Sequence, residues 1–417
     1  RLVMLFGVYA MNCRDRLFRV TRFLLLALLC PALLQAQPAP LPESNPWDLQ
    51  HLFTPPKYHW VSQSGVVHSL KYEGENFHGN ATSVFAYYAS PKTVGMETDQ
   101  ETYPAIVLVH GGGGKAFSEW ALLWAKRGYV AIAMDLAGRG VEANRLADGG
   151  PDQSHDAKFQ MIDGPLEDQW TYHAVANVIR GHSLLRSLDA VDVSKTAVTG
   201  ISWGGYLTCI VAGLDDRFQV AMPVYGCGFL KDNSAWSTSV FSKMTATQVS
   251  KWHKLWDPSM YIGSAKMPVM FLNGTNDFAY PMDSYARTCA LVRGQKNYSI
   301  QLGMPHGHIF GFPEFFVFID QYCKNGVPMA TVFKPTITDG KVAASVRTET
   351  KLVSARLHYT TELHSLNKDR KWVTSDLVID GVRISGAAPP GNAMVWYVDL
   401  KDQRGVVVSS ELIVTTN

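Results

Sequence analysis

A short apolar strand that leads into a glycine-flanked serine constrains this sequence more than any other stretch. Residues 195–205 read Lys-Thr-Ala-Val-Thr-Gly-Ile-Ser-Trp-Gly-Gly, so Gly200, Ser202 and Gly204 form a G-x-S-x-G pattern before an apolar helical run. In this pattern the serine lies on a sharp strand-to-helix turn, where flanking side chains would collide with neighbouring backbone. The start of the helix favours developing negative charge. The stretch therefore predicts Ser202 as a nucleophile above a sheet.

Strands and helices alternate around this motif. Apolar runs at 105–109 and 129–134 are typical of strands buried on both faces, and helical periods occupy 117–127 and 167–188. Alternation at this interval implies right-handed βαβ units with helices on both faces of the sheet. We therefore predict an α/β fold with a mostly parallel, doubly wound sheet as the catalytic domain, residues 67–327.

The pattern changes at both ends of that region. Residues 328–417 contain short alternating runs between turn residues and no helical period, which predicts a small C-terminal β-sandwich of immunoglobulin or fibronectin type. Residues 37–66 are rich in proline and aromatic residues without a clear period, and we interpret them as an N-terminal leader segment.

Residues 229–265 interrupt the α/β pattern with a long stretch that has no strand period. Long insertions are often functional lids, so we interpret this one as a helical lid over the site. Its Trp236, Trp252 and Trp256 have two interpretations. They line a mouth that stacks on sugar rings, or they form the insertion's own small core.

A nucleophilic serine needs a histidine that accepts its proton and a carboxylate that orients the histidine. Asp277 follows the predicted strand 269–272, and both His306 and His308 follow the last predicted strand. These positions are carboxyl ends of strands, where open α/β sheets build their sites. The order serine, aspartate, histidine fits such a site. The less favoured carboxylates are Asp135, Asp215 and Asp216.

A glycine run after the strand 105–109 offers hydrogen-bond donors for the oxyanion that forms on an attacked carbonyl. The N–H of Gly112, with Gly111 as a further donor, would act together with the N–H of Trp203. We interpret His110, which precedes the glycines, as a structural residue that holds this loop. The run lacks the Lys-Ser/Thr of a phosphate loop, so no nucleotide cofactor is predicted.

Composition excludes several classes of partner. The net charge is +2 and no basic stripe is present, so nothing favours nucleic-acid binding. The cysteine spacing fits no metal motif, and neither a cofactor nor a metal is predicted. A disulfide between Cys289 and Cys323 and the oligomeric state are left open.

The first 36 residues have the pattern of a secretory signal peptide. Four arginines between residues 14 and 22 precede an apolar run at 23–29, and cleavage is expected after Ala36. The apolar run is short for a membrane span. We predict a secreted or periplasmic protein without a membrane partner after cleavage.

With these motifs in place, residues 67–327 resemble the acetyl xylan esterase and dienelactone hydrolase group of α/β-hydrolases. The resemblance implies the α/β-hydrolase fold and ester hydrolysis, often of acetyl esters, with Ser202 and Asp277 in catalytic positions. The segments that carry it are 110–113, 135–140, 200–205, 214–217 and 273–277.

The histidine is assigned through the same resemblance. The Gly-His-x-Phe arrangement around His308, and the short loop before the helix at Pro313, are similar to the catalytic-histidine loops of this fold. We therefore favour His308 as the base, with His306 as the alternative.

These observations lead to one expected function and two alternatives. We expect a secreted serine carboxylesterase that forms an acyl-enzyme and removes acetyl groups from carbohydrates or small esters. The Ser-Trp-Gly-Gly form and the C-terminal β-domain are also similar to secreted prolyl-oligopeptidase-like serine peptidases. A non-catalytic binding protein on a hydrolase scaffold is the third possibility.

Overall fold

Six parallel strands form the centre of the fold. The computed structural model describes residues 37–97, 99–309, 311–362 and 367–415, so the predicted signal peptide lies outside the described residues. Up to residue 301 the strands are β1 (Tyr58–Ser62), β2 (His68–Glu73), β3 (Ser83–Ala89), β4 (Tyr103–Val109), β5 (Val130–Met134), β6 (Val191–Ile201), β7 (Val220–Val224), β8 (Val269–Gly274) and β9 (Lys296–Gln301).

Helices cover both faces of this sheet. They pack there because the strands β4, β5, β7 and β8 are buried along their whole length. The α-helices in the described residues are α1 (Leu49–Leu52), α2 (Ser118–Ala125), α3 (His155–Lys158), α4 (Trp170–Arg186), α5 (Trp203–Leu214), α6 (Leu230–Asn233), α7 (Ala246–Trp256), α8 (Met282–Leu291) and α9 (Pro313–Cys323).

The strand order is β1-β2-β3-β5-β4-β6-β7-β8-β9. The strands from β5 to β9 pair in parallel, and β1, β2 and β3 join them as antiparallel strands. The register places Val109 beside Gly200 and Ile201 beside Val224, so the carboxyl ends of the central strands lie together. The predicted mostly parallel, doubly wound α/β sheet is confirmed.

The C-terminal residues form antiparallel strands in two sheets, as a sandwich requires. One sheet has the order β18-β17-β13-β14 and extends the central sheet, because Ser409 pairs with Tyr298 of β9. The second sheet has the order β10-β12-β16-β15, with β11 paired to β12. The ranges are β10 (Thr331–Val332), β11 (Thr336–Thr338), β12 (Lys341–Arg347), β13 (Leu352–Thr360), β14 (Val373–Asp376), β15 (Val378–Asp380), β16 (Arg383–Ala387), β17 (Val395–Asp402), β18 (Val407–Ser409) and β19 (Ile413–Val414).

The leader segment contains structure that its sequence pattern did not indicate. It forms the short helix α1 and the strand β1, which pairs with β2 at the edge of the central sheet. Most side chains of β1 are exposed, so the strand lacks the alternation of buried and exposed positions that identifies strands in a sequence. The boundary between leader and catalytic domain, like the other predicted boundaries, stays a prediction.

The insertion at 229–265 is helical, as predicted, but its tryptophans are buried. Trp252 is 1% and Trp256 0% exposed, and their indole N–H groups donate to the Lys158 carbonyl and the Gln169 side chain. Of the two interpretations, the sugar-stacking mouth is therefore wrong for these two residues. They belong to the core instead, because the Trp252 ring packs against Phe159 and the Trp256 ring against Trp47 of the leader, and their N–H groups are satisfied internally.

The structure also addresses cysteine pairing and membrane spans. Cys289 and Cys323 are buried free thiols, so the disulfide that the sequence left open is not formed. Within the described ranges, none of the helices is long and apolar enough to cross a membrane.

A buried ion cluster joins the leader to the helices below the sheet. Asp215 is fully buried and accepts hydrogen bonds from Arg217 at 2.7 Å and from His182 Nδ1 at 2.8 Å. The Arg217 guanidinium also lies 3.8 Å from the centre of the Phe53 ring in the leader. Burial alone would raise the pKa of Asp215, but His182 and Arg217 hold that pKa well below its ordinary range.

We expect the substitution Asp215→Asn to lower the free energy of unfolding by about 3–5 kcal/mol, because it removes the carboxylate that compensates the Arg217 guanidinium and accepts a hydrogen bond from His182. Urea denaturation followed by circular dichroism measures this loss. The adjacent Asp216 is exposed and pairs with Lys266, so Asp216→Asn serves as the control and should cost less than about 1 kcal/mol. Equal losses in the two variants would contradict the structural role of the cluster.

Candidate active site

The turn between β6 and α5 places Ser202 in a strained backbone conformation. Its φ is 61° and its ψ is −117°, a region that residues other than glycine rarely adopt. The two flanking glycines are required by close packing. A Cβ on Gly204 would lie 2.1 Å from the Val109 carbonyl oxygen, and one on Gly200 would lie 2.4 Å from that of Gly204. The turn therefore lifts the hydroxyl above the carboxyl ends of the strands.

A line of two hydrogen bonds connects Ser202 to a buried carboxylate. His306 Nε2 lies 2.9 Å from Ser202 Oγ, and His306 Nδ1 lies 2.6 Å from Asp277 Oδ2. The other Asp277 oxygen accepts the N–H groups of Ala279 and Tyr280, each at 2.8 Å. Asp277 thus accepts a hydrogen bond from the Nδ1–H of His306, which leaves Nε2 free to accept the serine proton.

Aromatic rings fix the orientation of His306. The Tyr225 ring stacks on the imidazole with the ring centres 4.5 Å apart, and the Tyr225 hydroxyl donates to the carbonyl of Pro305. Phe278 lies 4.7 Å from the imidazole centre. Because its rotation is limited in this way, the imidazole keeps both hydrogen bonds in line.

The preference for His308 over His306 is wrong in this geometry. His306 is the histidine that bridges Ser202 and Asp277, and His308 Nε2 instead accepts the N–H of Gly111 at 3.1 Å. The loop after β9 turns between the two histidines, so their side chains point to different neighbours. His308 holds the glycine loop and makes no hydrogen bond with Ser202.

The surroundings of His308 favour a neutral imidazole that accepts a hydrogen bond. Its ring lies 5.1 Å from that of Phe117 and 5.9 Å from that of Trp120. Burial lowers its pKa, and the neighbouring His110 and His306 lower it further. The imidazole is therefore neutral near pH 7, as its hydrogen bond from the Gly111 N–H requires.

Two backbone donors remain available above Ser202. The N–H groups of Gly112 and Trp203 make no hydrogen bond within the described part of the chain. A Cβ on Gly112 would lie 2.7 Å from Trp203 Cδ1, so the two residues are in direct contact. The N–H of Gly111, which we expected to be a further donor, is instead hydrogen-bonded to His308. Gly111 therefore supports the loop and is not a donor for the oxyanion. Gly112 and Trp203 form the pair that can hold an oxyanion.

The remaining residues proposed from sequence lie elsewhere. His110 is buried and its Nε2 accepts the N–H of Leu136 at 2.9 Å, as a structural role predicts. Burial also lowers the pKa of His110. The alternative carboxylate Asp135 accepts the N–H groups of Ala137 and Arg139 and does not bond to His306.

Sequence reasoning missed Tyr280, which lies beside Ser202. Its ring stacks on His306 with the centres 6.2 Å apart and packs against Trp236 at 5.5 Å. Burial raises the pKa of its hydroxyl well above the ordinary range, against the opposing effect of a hydrogen bond with Ser202. The only signal in the sequence was its position three residues after Asp277.

A second missed residue links the carboxylate loop to the C-terminal strands. The Asn276 side-chain amide donates to the backbone carbonyl of Arg370 at 3.0 Å and to that of Lys368 at 3.4 Å. Because Asn276 precedes Asp277, the C-terminal residues contribute to the position of this carboxylate. Among the residues that the structure describes, no group of three His, Cys, Asp or Glu side chains could hold a metal ion.

A family model and a solved structure cover more than half of this chain. The family model "Acetyl xylan esterase (AXE1)" matches residues 41–263, more than half of the chain. The acetyl xylan esterase structure from Paenibacillus sp. R4 superimposes with a TM-score of 0.52 at 21% identity, covering 66% of this chain and 92% of that one. This likeness, with the strand order above, confirms the expected α/β-hydrolase fold.

Curated relatives match shorter regions. Acetyl esterase Axe7A of Xylanibacter ruminicola is 27% identical over 140 residues, which are 32% of this chain and 30% of the relative. A protein of Emericella nidulans named "Probable dipeptidyl-peptidase 5" is 27% identical over 146 residues, 33% of this chain and 18% of the relative. The chain therefore spans less than a third of the length of these two relatives.

The geometry predicts different outcomes for the two histidines. We expect His306→Ala to slow the labelling of Ser202 by a fluorophosphonate about 10²- to 10⁴-fold, because the base that accepts the serine proton is removed. His308→Ala removes only a support of Gly111 and should label much faster than His306→Ala. Mass spectrometry of the labelled peptide measures both rates, and circular dichroism checks folding. The reverse order would contradict the assignment of His306.

Proposed function

Because this chain belongs to the acetyl xylan esterase family, we propose that it is a secreted serine esterase that removes acetyl groups from carbohydrate. The line of hydrogen bonds from Asp277 through His306 to Ser202 carries the proposal, since it is the arrangement that activates a serine hydroxyl. The name of the Xylanibacter ruminicola relative, an acetyl esterase, supports acetyl as the transferred group.

Acylation uses the groups around Ser202 in turn. The Ser202 oxygen attacks the carbonyl carbon of the acetyl ester while its proton passes to His306 Nε2. The N–H groups of Gly112 and Trp203 stabilise the oxyanion of the tetrahedral intermediate. When the intermediate collapses, the ester C–O bond breaks, and the sugar oxygen leaves with the proton from His306. The acetyl group remains bound to Ser202.

Deacylation repeats these steps with water. A water molecule gives a proton to His306 Nε2 and attacks the acetyl carbon, and the same two N–H groups stabilise the new oxyanion. Collapse breaks the bond to Ser202, which regains its proton from His306, and acetate leaves. Asp277 stays ionised throughout and stabilises the imidazolium that forms twice in each cycle.

The proposed location rests on the N-terminal sequence. A basic stretch followed by the apolar run 23–29 and a cleavage position after Ala36 supports export to the periplasm or the medium. Acetylated polysaccharides are too large to enter a cell unaided, so an exported enzyme meets them directly.

We expect Ser202→Ala to lower acetate release from acetylated xylan and from p-nitrophenyl acetate by at least about 10⁴-fold, because no nucleophile remains. Acetate is measured by a coupled assay. Ser242→Ala is the control, since Ser242 is exposed on the insertion. Activity that survives in Ser202→Ala, in folded protein, would refute the mechanism.

The same assay distinguishes the alternative activity. The peptidase name of the Emericella nidulans relative makes prolyl and aminoacyl p-nitroanilides the competing substrates. Faster cleavage of these amides than of acetyl esters would favour a serine peptidase. Hydrolysis confined to longer acyl chains would indicate a general carboxylesterase.

We further expect Gly112→Ala to lower kcat about 10²- to 10³-fold, because the new methyl group would meet Trp203 at 2.7 Å and move an oxyanion donor. Steady-state kinetics with p-nitrophenyl acetate measures the change. Gly294→Ala is the control, since a Cβ there meets nothing within 4 Å. An unchanged kcat in Gly112→Ala would show that the Gly112 N–H does not serve the transition state.

A further inference from the structure

A buried lysine lies beside the residue that follows the nucleophile. Lys158, the last residue of α3, is 6% exposed, and its Nζ is 4.6 Å from the centre of the Trp203 ring and 5.9 Å from that of Trp170. Its backbone carbonyl accepts the indole N–H of Trp252, which fixes the end of the helix. The ammonium itself makes no hydrogen bond or ion pair with any residue that the structure describes.

The side chain of Lys158 is buried along most of its length, whereas its Nζ has no hydrogen-bond or ion-pair partner among the described residues and is not fully closed off from solvent. Buried charges in proteins are paired, because removing them from water is costly. The indole faces supply only part of the lost solvation. Burial lowers the pKa of Lys158 to about 8, an effect that Asp152 partly opposes, so the ammonium is still charged at pH 7. Asp152 is exposed and accepts the N–H of Ser154 in its own loop.

The position of Lys158 connects it to the reaction centre. The Trp203 indole touches the oxyanion loop through its Cδ1 edge at Gly112, and Lys158 lies over the face of the same ring. Phe159 and Trp236 pack around this indole at 5.7 Å and 4.7 Å between ring centres. The cation therefore lies on the face of the same indole whose Cδ1 edge meets the glycine loop beside Ser202.

We propose that Lys158 is a specificity-determining residue that receives a carboxylate of the substrate, so that the preferred substrates are acetylated sugars that carry a uronic acid. The inference rests on the proposed esterase function and adds the substrate class. A single ammonium without a second cation matches a monoanion such as a carboxylate. Uronic acids are the carbohydrates that place such a group close to an acetylated hydroxyl.

Two substrates that differ at one carbon test the inference. Monoacetylated methyl glucuronoside carries a carboxylate where monoacetylated methyl glucoside has a hydroxymethyl group. A charge-assisted hydrogen bond predicts that kcat/KM is about 10- to 100-fold higher for the glucuronoside. In Lys158→Met the ratio should fall to about one, chiefly through a higher KM for the glucuronoside, and Lys158→Arg should restore part of it. Lys243→Met, at an exposed lysine, is the control and should keep the ratio.

Binding provides a readout that does not depend on turnover. In the Ser202→Ala variant, calorimetry should detect methyl glucuronoside binding that Lys158→Met weakens about tenfold or more. A wild-type ratio near one, or equal loss on both sugars in Lys158→Met, would overturn the role of Lys158. Failure of the wild-type protein to hydrolyse any acetyl ester would instead refute the proposed function, while the binding comparison would still test the lysine.

Discussion

The backbone conformation of Ser202 is the constraint on which the rest of the site depends. A residue other than glycine at φ 61° costs about 1–3 kcal/mol, and it persists only where the surrounding structure holds it. Here β6 lies between two parallel neighbours, and Gly200 and Gly204 let its end approach Val109 closely. The same turn leaves the N–H of Trp203, at the start of α5, without a hydrogen bond to any residue that the structure describes. The strained turn therefore places the buried Ser202 hydroxyl next to His306 and leaves a backbone donor beside it.

Aromatic packing gives this site a fixed wall. Trp203 contacts Phe159 and Trp236, and Phe159 stacks on Trp252 of the insertion. The Trp252 N–H is hydrogen-bonded to the carbonyl of Lys158, so the insertion and α3 hold each other in place. Large rings in mutual contact are costly to separate, because each buries a large apolar area. The insertion thus shapes the surroundings of Ser202 through its buried aromatic rings and not through exposed tryptophans.

The sequence predicted those features of the fold that leave a local pattern of residue types along the chain. The wholly buried strands β4 and β8 appear as continuous apolar runs, and strand ends identify the positions of Ser202 and Asp277. No such pattern could show which of His306 and His308 contacts Ser202. The two residues share one loop without periodicity, and their directions depend on tertiary contacts with Tyr225 and Gly111 that no local pattern encodes. The edge strand β1 was missed for another reason, since most of its side chains are exposed and it therefore shows no alternation of apolar and polar residues.

The C-terminal strands cover one edge of the central sheet. Without them β9 would be an edge strand with unpaired N–H and C=O groups, which is a liability for aggregation. Ser409 of β18 pairs with Tyr298 of β9, and the N–H of Val407 is accepted by the buried Glu314 of α9. A separate C-terminal segment brings the carbonyl of Arg370 to Asn276, next to Asp277. The C-terminal region therefore both covers the edge of the central sheet and contacts the loop that carries Asp277, because its strands pack against that side of the sheet.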